Sequence, residues 1–159
     1  MTRIWAPWRM EFIKALREKK GECVFCVATQ KQEDEQQFIL FRGQNIFVML
    51  NRYPYTNGHL LIMPYRHVAE LKDLSAQEYQ EMMSLTSQAV EIMKKELQAD
   101  GFNCGFNLGR AAGAGIEDHI HMHVVPRWVG DTNFLPVLSK TRALPEYLSE
   151  TYKRLVDKF

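Results

Sequence analysis

His119-Ile120-His121-Met122-His123-Val124-Val125-Pro126-Arg127 is the stretch from which the rest of the chain is read. Three of the 5 histidines fall in this one short run. On an extended strand alternate side chains share a face. His119, His121 and His123 therefore point one way, about 6.6 Å apart, and Ile120, Met122 and Val124 point the other. The pattern is a strand with one apolar face for a core and one chemical face. Imidazole titrates near neutral pH. A neutral ring can attack phosphorus, a charged one can hold phosphate oxygens, and a neighbouring ring or carbonyl can fix the tautomer of the attacker. Two other readings compete at this point: three core histidines that satisfy one another, or alternating histidines that bind a metal.

Working outward, Phe38 to Phe41 and Asn45 to Leu50 read as paired strands joined by the turn Arg42-Gly43-Gln44. Asn51 to Gly58 is a loop with Pro54 and an Asn57-Gly58 turn signal, and His59 to Met63 is a third strand stopped by Pro64. Ser75 and Glu78 form a Ser-x-x-Glu capping box that opens the longest helix. Tyr79, Met82, Met83, Thr86, Val90, Met93 and Leu97 line its inner face up to Gly101. Phe102 to Leu108 is a fourth strand, with Cys104 expected in the core, and His119 to Val125 is the fifth. An N-terminal helix is expected from Trp8 to Lys19 and a C-terminal one from Pro145 to Lys158, with Leu148, Tyr152, Leu155 and Val156 inward. The order and the short links favour an α+β fold, an antiparallel sheet of about five strands with helices on one side. We expect a single domain over 1–159, with a helical extension at 1–22 and a C-terminal extension with a helix at 128–159.

The composition narrows the function. With 159 residues, 46% hydrophobic and 25% charged, the chain suits one globular core. Twenty Lys+Arg against 19 Asp+Glu leave a net charge of +1, so no global field holds a nucleic-acid polymer. Phosphate recognition must be local. No apolar run spans a bilayer and no secretory signal opens the chain, so we expect a cytoplasmic protein without a membrane partner. In that reducing compartment Cys23-Val24-Phe25-Cys26 reads as half a tetrahedral metal site, a redox pair, or two small buried residues. No βαβ pattern surrounds it, which weakens the redox reading.

The histidine run, with its apolar intervening residues, resembles the triad of the histidine triad (HIT) superfamily. Asn51-Arg52-Tyr53-Pro54-Tyr55-Thr56-Asn57-Gly58-His59-Leu60-Leu61-Ile62-Met63-Pro64 is similar to the family's Asn…Gly-His segment. Asn107-Leu108-Gly109-Arg110-Ala111-Ala112-Gly113-Ala114-Gly115 resembles its glycine-rich approach. The likeness covers about Cys23 to Arg127. Trp5-Ala6-Pro7-Trp8-Arg9-Met10 and the run Val125 to Phe134 look like the bacterial branch that includes diadenosine tetraphosphate phosphorylases.

The resemblance implies a HIT-like fold and an enzyme that moves a nucleotidyl group. His121 is the implied nucleophile on the α-phosphorus, His123 the binder of phosphate oxygens or leaving group, and His119 the third member of the triad. The implied substrate contacts are Asn51 at the ribose, His59 near the phosphates, Asn107, Gly113 and Gly115, with His123 among them. Each also has a plain structural reading: His59 could cap a strand and Asn51 could make a turn. The family's polar residues ahead of the triad are replaced here by Gly115 and Ile116, followed by Glu117 and Asp118. Ile116 donates no hydrogen bond, which favours the phosphorylase-like branch over hydrolases. The acidic pair reads as solvated surface. By the same resemblance Cys23 and Cys26 are completed by His67 and His119 into a structural Zn2+ site, and no organic cofactor is expected.

Three functions follow. One is nucleotidyl transfer from a dinucleoside polyphosphate through a covalent nucleotidyl-histidine, with phosphate or water as acceptor. A second is a nucleoside phosphoramidase or nucleotide hydrolase. A third, of another class, is a nucleotide-binding or partner-binding module with little turnover. A metal-dependent enzyme using the histidine strand as ligands would lose its activity to chelators. A homodimer is expected by family analogy alone.

Overall fold

The structure is a computed structural model that describes residues 22–132 and 143–159. The expected helix from Trp8 to Lys19, the aromatics Trp5 and Trp8, and the end of the Val125–Phe134 run lie outside those residues.

Five strands form one antiparallel sheet: β1 (Ile39–Arg42), β2 (Ile46–Leu50), β3 (Leu60–Pro64), β4 (Gly101–Phe106) and β5 (Met122–Arg127), in the order β1-β2-β3-β5-β4. The turn between β1 and β2 needs glycine, because a Cβ on Gly43 would collide with the Glu81 carboxylate and the Ile46 carbonyl. That carboxylate accepts from the backbone N–H groups of Gln44 (2.7 Å) and Asn45 (2.9 Å), tying the turn to the longest helix.

That helix, Ala76–Leu97, opens on Ser75 with both halves of the expected capping box. Arg66 clamps the same Glu78 carboxylate at 2.8 and 2.6 Å. Two short helices precede it, so we label Val24–Gln30 α1, Asp34–Gln37 α2, Ala76–Leu97 α3 and Leu148–Leu155 α4. The inner face of α3 differs from the expected one. Met82, Leu85, Thr86, Ala89, Met93 and Leu97 are buried, whereas Tyr79 and Met83 are exposed. The i, i+3, i+4 stripe starts from buried Glu78, and this choice rotates the contact face towards Leu85 and Ala89. The helix ends at Leu97 with Gln98 left-handed, and β4 begins at Gly101 itself.

Alternation sorts the sheet into two faces. Ile46, Val48, Leu50, Leu60, Ile62, Met122 and Val124 join α3 and α4 in the large core, with Tyr152 and Leu155 inward as expected. Phe47, Met49, Leu61 and Met63 form a second cluster on the other face, closed by Phe25 of α1. Helices therefore pack on both faces, not one. The Cys23–Cys26 knuckle brings Phe25 round to the histidine side. Cys104 is exposed, contrary to the core position expected of it, because β4 is an edge strand. Among the described residues no helix is long and apolar enough to cross a membrane.

Candidate active site

The fifth strand starts at Met122, not His119. The residues ahead of it are tied instead to the chain leaving β3: Ile120 N–H donates to the Val68 carbonyl at 2.7 Å. The alternation survives. Ile120, Met122 and Val124 enter the large core while His119, His121 and His123 turn to the opposite face, all three buried. His59, one residue ahead of β3, shares the face of Leu61, which pairs with His123. Its loop is closed by Asn51 N–H on the His59 carbonyl at 2.8 Å.

Hydrogen bonds fix the tautomers in sequence. The Tyr55 backbone N–H donates to His59 Nδ1 (3.1 Å), and Asn51 Nδ2 approaches the same atom at 3.4 Å. Nδ1 therefore carries the lone pair and Nε2 the proton. His59 Nε2–H donates to His123 Nδ1 at 2.9 Å. His123 must then hold its own proton on Nε2. Among the described residues that Nε2 is the one buried side-chain nitrogen or oxygen without a hydrogen-bond partner. An orphaned buried donor costs about 1–3 kcal/mol, so its persistence marks a place for an acceptor.

The middle ring is set in the opposite sense. His121 Nδ1–H donates to the carbonyl of His119 at 2.7 Å, which leaves Nε2 with an unprotonated lone pair. Its ring meets His123 edge to face with centroids 4.9 Å apart and touches Phe25 at 5.2 Å. An unprotonated ring nitrogen and a hydrogen-bond donor thus sit on neighbouring rings.

Burial keeps these rings neutral. Desolvation first, then repulsion from His123 and His121, pushes His59 down to about 3. Desolvation, with His121 second, takes His123 to about 4. His121 is lowered by desolvation and partly restored by its bond to the His119 carbonyl. At neutral pH none carries a proton it would have to lose before acting.

A second constellation shares His119. His119 Nε2–H donates to the Pro64 carbonyl at 2.9 Å, so Nδ1 is free to coordinate. That Nδ1 lies 3.3 Å from Cys23 Sγ and 3.6 Å from Cys26 Sγ, and His67 Nδ1 lies 3.5 Å from Cys26 Sγ. All four ligand atoms fall within 4.8 Å of one another. A tetrahedron with Zn–S near 2.3 Å and Zn–N near 2.0 Å has S–N edges of about 3.5 Å, so the donors fit zinc in type and spacing. Burial, and then Cys23, push the Cys26 thiol up to about 11. A bound dication reverses that by displacing the proton.

The HIT domain model matches residues 31–129. The chain is 36% identical over 161 aligned residues to the "AP-4-A phosphorylase" of Mycobacterium tuberculosis, covering 98% of this chain and 83% of that protein. This chain belongs to the HIT family. A HIT-family likeness also reaches the "Bis(5'-adenosyl)-triphosphatase" of Dictyostelium discoideum, 29% identical over 58% of this chain and 61% of that one. Among solved structures, a Zn-bound histidine triad family protein from Mycobacterium smegmatis matches with a TM-score of 0.68 and 29% identity, over 86% of this chain and 92% of that one.

Against the family pattern, the structure gathers most of the expected residues and separates a few. His59, His121 and His123 form one continuous array. Asn51 braces it and also makes a turn, its Oδ1 accepting from Tyr53 N–H at 2.9 Å. Asn107 Nδ2 donates to the Tyr55 hydroxyl at 3.2 Å, beside a cavity of about 330 Å³ that also reaches His123. Gly113 turns the preceding loop at φ +92, but neither it nor Gly115 lines that cavity. Ile116 packs on the second apolar cluster. Glu117 pairs with exposed Arg110 at 3.0 Å, as a surface residue would. Two residues escaped the sequence reading. Tyr55 stacks on His123 with centroids 5.6 Å apart at 19°, and Phe25 abuts both His119 and His121. An aromatic four residues before His59, and another inside the Cys-x-x-Cys knuckle, were the available signals.

Proposed function

We propose that this HIT protein is a phosphorylase of dinucleoside polyphosphates, with diadenosine tetraphosphate as substrate and a nucleotidyl-histidine at His121 as intermediate. One observation carries the reading: the unprotonated Nε2 of His121 stands beside the orphaned Nε2–H donor of His123. His121 Nε2 gives its lone pair to the α-phosphorus. The N–P bond forms as the bond from that phosphorus to its bridging oxygen breaks, and ATP leaves. His123 Nε2–H donates to the oxygens that gain charge, where a fixed donor lowers the barrier most. His59 positions that donor and does not touch the reacting atoms. In the second half an oxygen of inorganic phosphate attacks the same phosphorus, the N–P bond breaks and ADP is released.

On the family pattern Asn51 and Asn107 would contact ribose and phosphates, and Gly113 and Gly115, which do not line the cavity, would shape the loop that precedes the triad. Ile116 offers no side-chain donor at its position, which supports phosphate over water as acceptor. Cys23, Cys26, His67 and His119 would hold zinc, whose chemistry here is that of a closed structural staple. It would fix the backbone whose carbonyl orients His121. The family pattern further supports a homodimer.

Chromatography of the products tests the reaction. ADP plus ATP formed from diadenosine tetraphosphate only when phosphate is present is the expected result. AMP plus ATP without phosphate would make the protein a hydrolase. No product with this substrate, but release of AMP from phosphoramidates, would favour the phosphoramidase reading.

A further inference from the structure

The loop that sets His59 is fastened from two sides. Thr56 to His59 is a turn, closed by the His59 N–H on the Thr56 carbonyl at 3.3 Å, with Gly58 at φ +73. The Thr56 hydroxyl donates to the Pro126 carbonyl of β5 at 2.9 Å. Asn57, at the other corner of the turn, reaches instead to the C-terminal segment. Its Nδ2 donates to Glu146 Oε2 at 3.1 Å. Its Oδ1 lies 3.2 Å from the Thr151 hydroxyl, which is fully buried and stands 2.8 Å from the same Oε2. The amide cannot turn over, because its oxygen would then face a carboxylate. Arg154 holds the other carboxylate oxygen, Glu146 Oε1, at 2.5 Å. Thr151 belongs to α4, whose Tyr152 and Leu155 sit in the large core. The turn ahead of His59 is thus clipped to an anchored helix through one side chain.

We propose that Asn57, held by Glu146 and Thr151, is a positioning residue for the proton order of the site: it fixes the turn so that the Tyr55 N–H stays aimed at His59 Nδ1. The proposal rests on the reading of His123 Nε2–H as the donor to phosphate oxygens. The Tyr55 N–H meets His59 Nδ1 at 3.1 Å, and a hydrogen bond of that length is weakened steeply by a small rotation of the turn. Asn51 Nδ2, at 3.4 Å, is too far away to hold the tautomer alone. With the Tyr55 bond gone, the His59 proton moves from Nε2 to Nδ1. His59 Nε2 then offers a lone pair to His123 Nδ1. His123 answers by binding its proton at Nδ1 and giving up the one at Nε2. Both rings stay neutral, and the site loses its donor without losing a side chain.

The test reads the ring nitrogens of His59 and His123 by 15N NMR, which separates protonated from unprotonated nitrogen. In the wild type both rings should carry the proton on Nε2. In Asn57→Leu both should show mixed tautomers. The kcat for diadenosine tetraphosphate should fall about ten- to hundredfold, the scale of a small misplacement at a reacting group, with KM within about threefold. Thr151→Val, which keeps the shape and deletes the hydroxyl, should move both readouts the same way, and Thr151→Ser should return them. Wild-type tautomers in folded Asn57→Leu and Thr151→Val, whatever happens to kcat or stability, would make the clip structural only and overturn the proposal. The NMR arm needs no substrate, so it stands apart from the choice of nucleotide. A wild type with the proton of His123 on Nδ1 would overturn the donor reading itself, and this proposal with it.

Discussion

Replacing His123 with phenylalanine removes both ring nitrogens from the site and keeps an aromatic ring in place. The ring keeps its shape, and its parallel stack with Tyr55 at 5.6 Å is retained. What disappears is the Nε2–H that has no partner among the described residues, and with it the Nδ1 that accepts from His59. Loss of one oriented donor at a site of developing charge costs about 10²–10³ in kcat, roughly 3–4 kcal/mol. KM should move much less, because the interaction strengthens in the transition state. Stability falls too. His59 is fully buried, and its Nε2–H would lose its acceptor, a cost of about 1–3 kcal/mol. The assay is steady-state phosphorolysis of diadenosine tetraphosphate, with urea unfolding of the same preparation. A kcat within about threefold of wild type, in a variant that is measurably less stable, would refute the donor role of His123.

The other variants report on the supports. His59→Leu should lower kcat less than His123→Phe, since it frees a ring without deleting the donor. It should also flatten the acid side of the stability curve. Above pH 6.5 the buried rings are neutral in both folded and unfolded chains. Between 6.5 and about 4 the unfolded histidines bind protons that His59, held to about 3, and His123, held to about 4, refuse. Wild-type stability therefore falls on acidification across that window. An equally steep fall of the urea midpoint in His59→Leu would contradict this. Cys23→Ser should abolish stoichiometric zinc, read by atomic absorption on protein purified without chelator. Loss of only ~2 kcal/mol would lower Tm by about 4–8 °C at this length. Full metal content or an unchanged Tm would remove the zinc site from the account.

The triad strand was legible because a period of two needs only residue types: three imidazoles on one face and Ile120, Met122 and Val124 on the other. Its starting point was not. Whether His119 joins a ladder depends on the contact between Ile120 and Val68, which are far apart in the chain. The capping box named the start of α3, since the motif is local. The buried stripe was misplaced by a fraction of a turn, because alanine at position 89 carries no hydrophobic signal of its own and Met83 carries a strong one while exposed. Cys104 looked like core for the same reason: composition does not say which strand lies at the edge. The Cys23–Cys26 pair was visible in its spacing, whereas His59, and His67 and His119 as partners of that pair, were found through family resemblance. The proton order from Tyr55 through His59 to His123, which decides what His123 can do, exists only in three dimensions.

Trapping the intermediate tests the central claim most directly. Wild-type protein and diadenosine tetraphosphate, mixed without phosphate and quenched in base, would be digested and the peptides mapped by mass spectrometry. The account predicts an adenylyl group on the peptide that carries His121, lost when phosphate is added before the quench and absent from His121→Ala. Full turnover in His121→Ala, with no adduct on any histidine of the wild type, would contradict it.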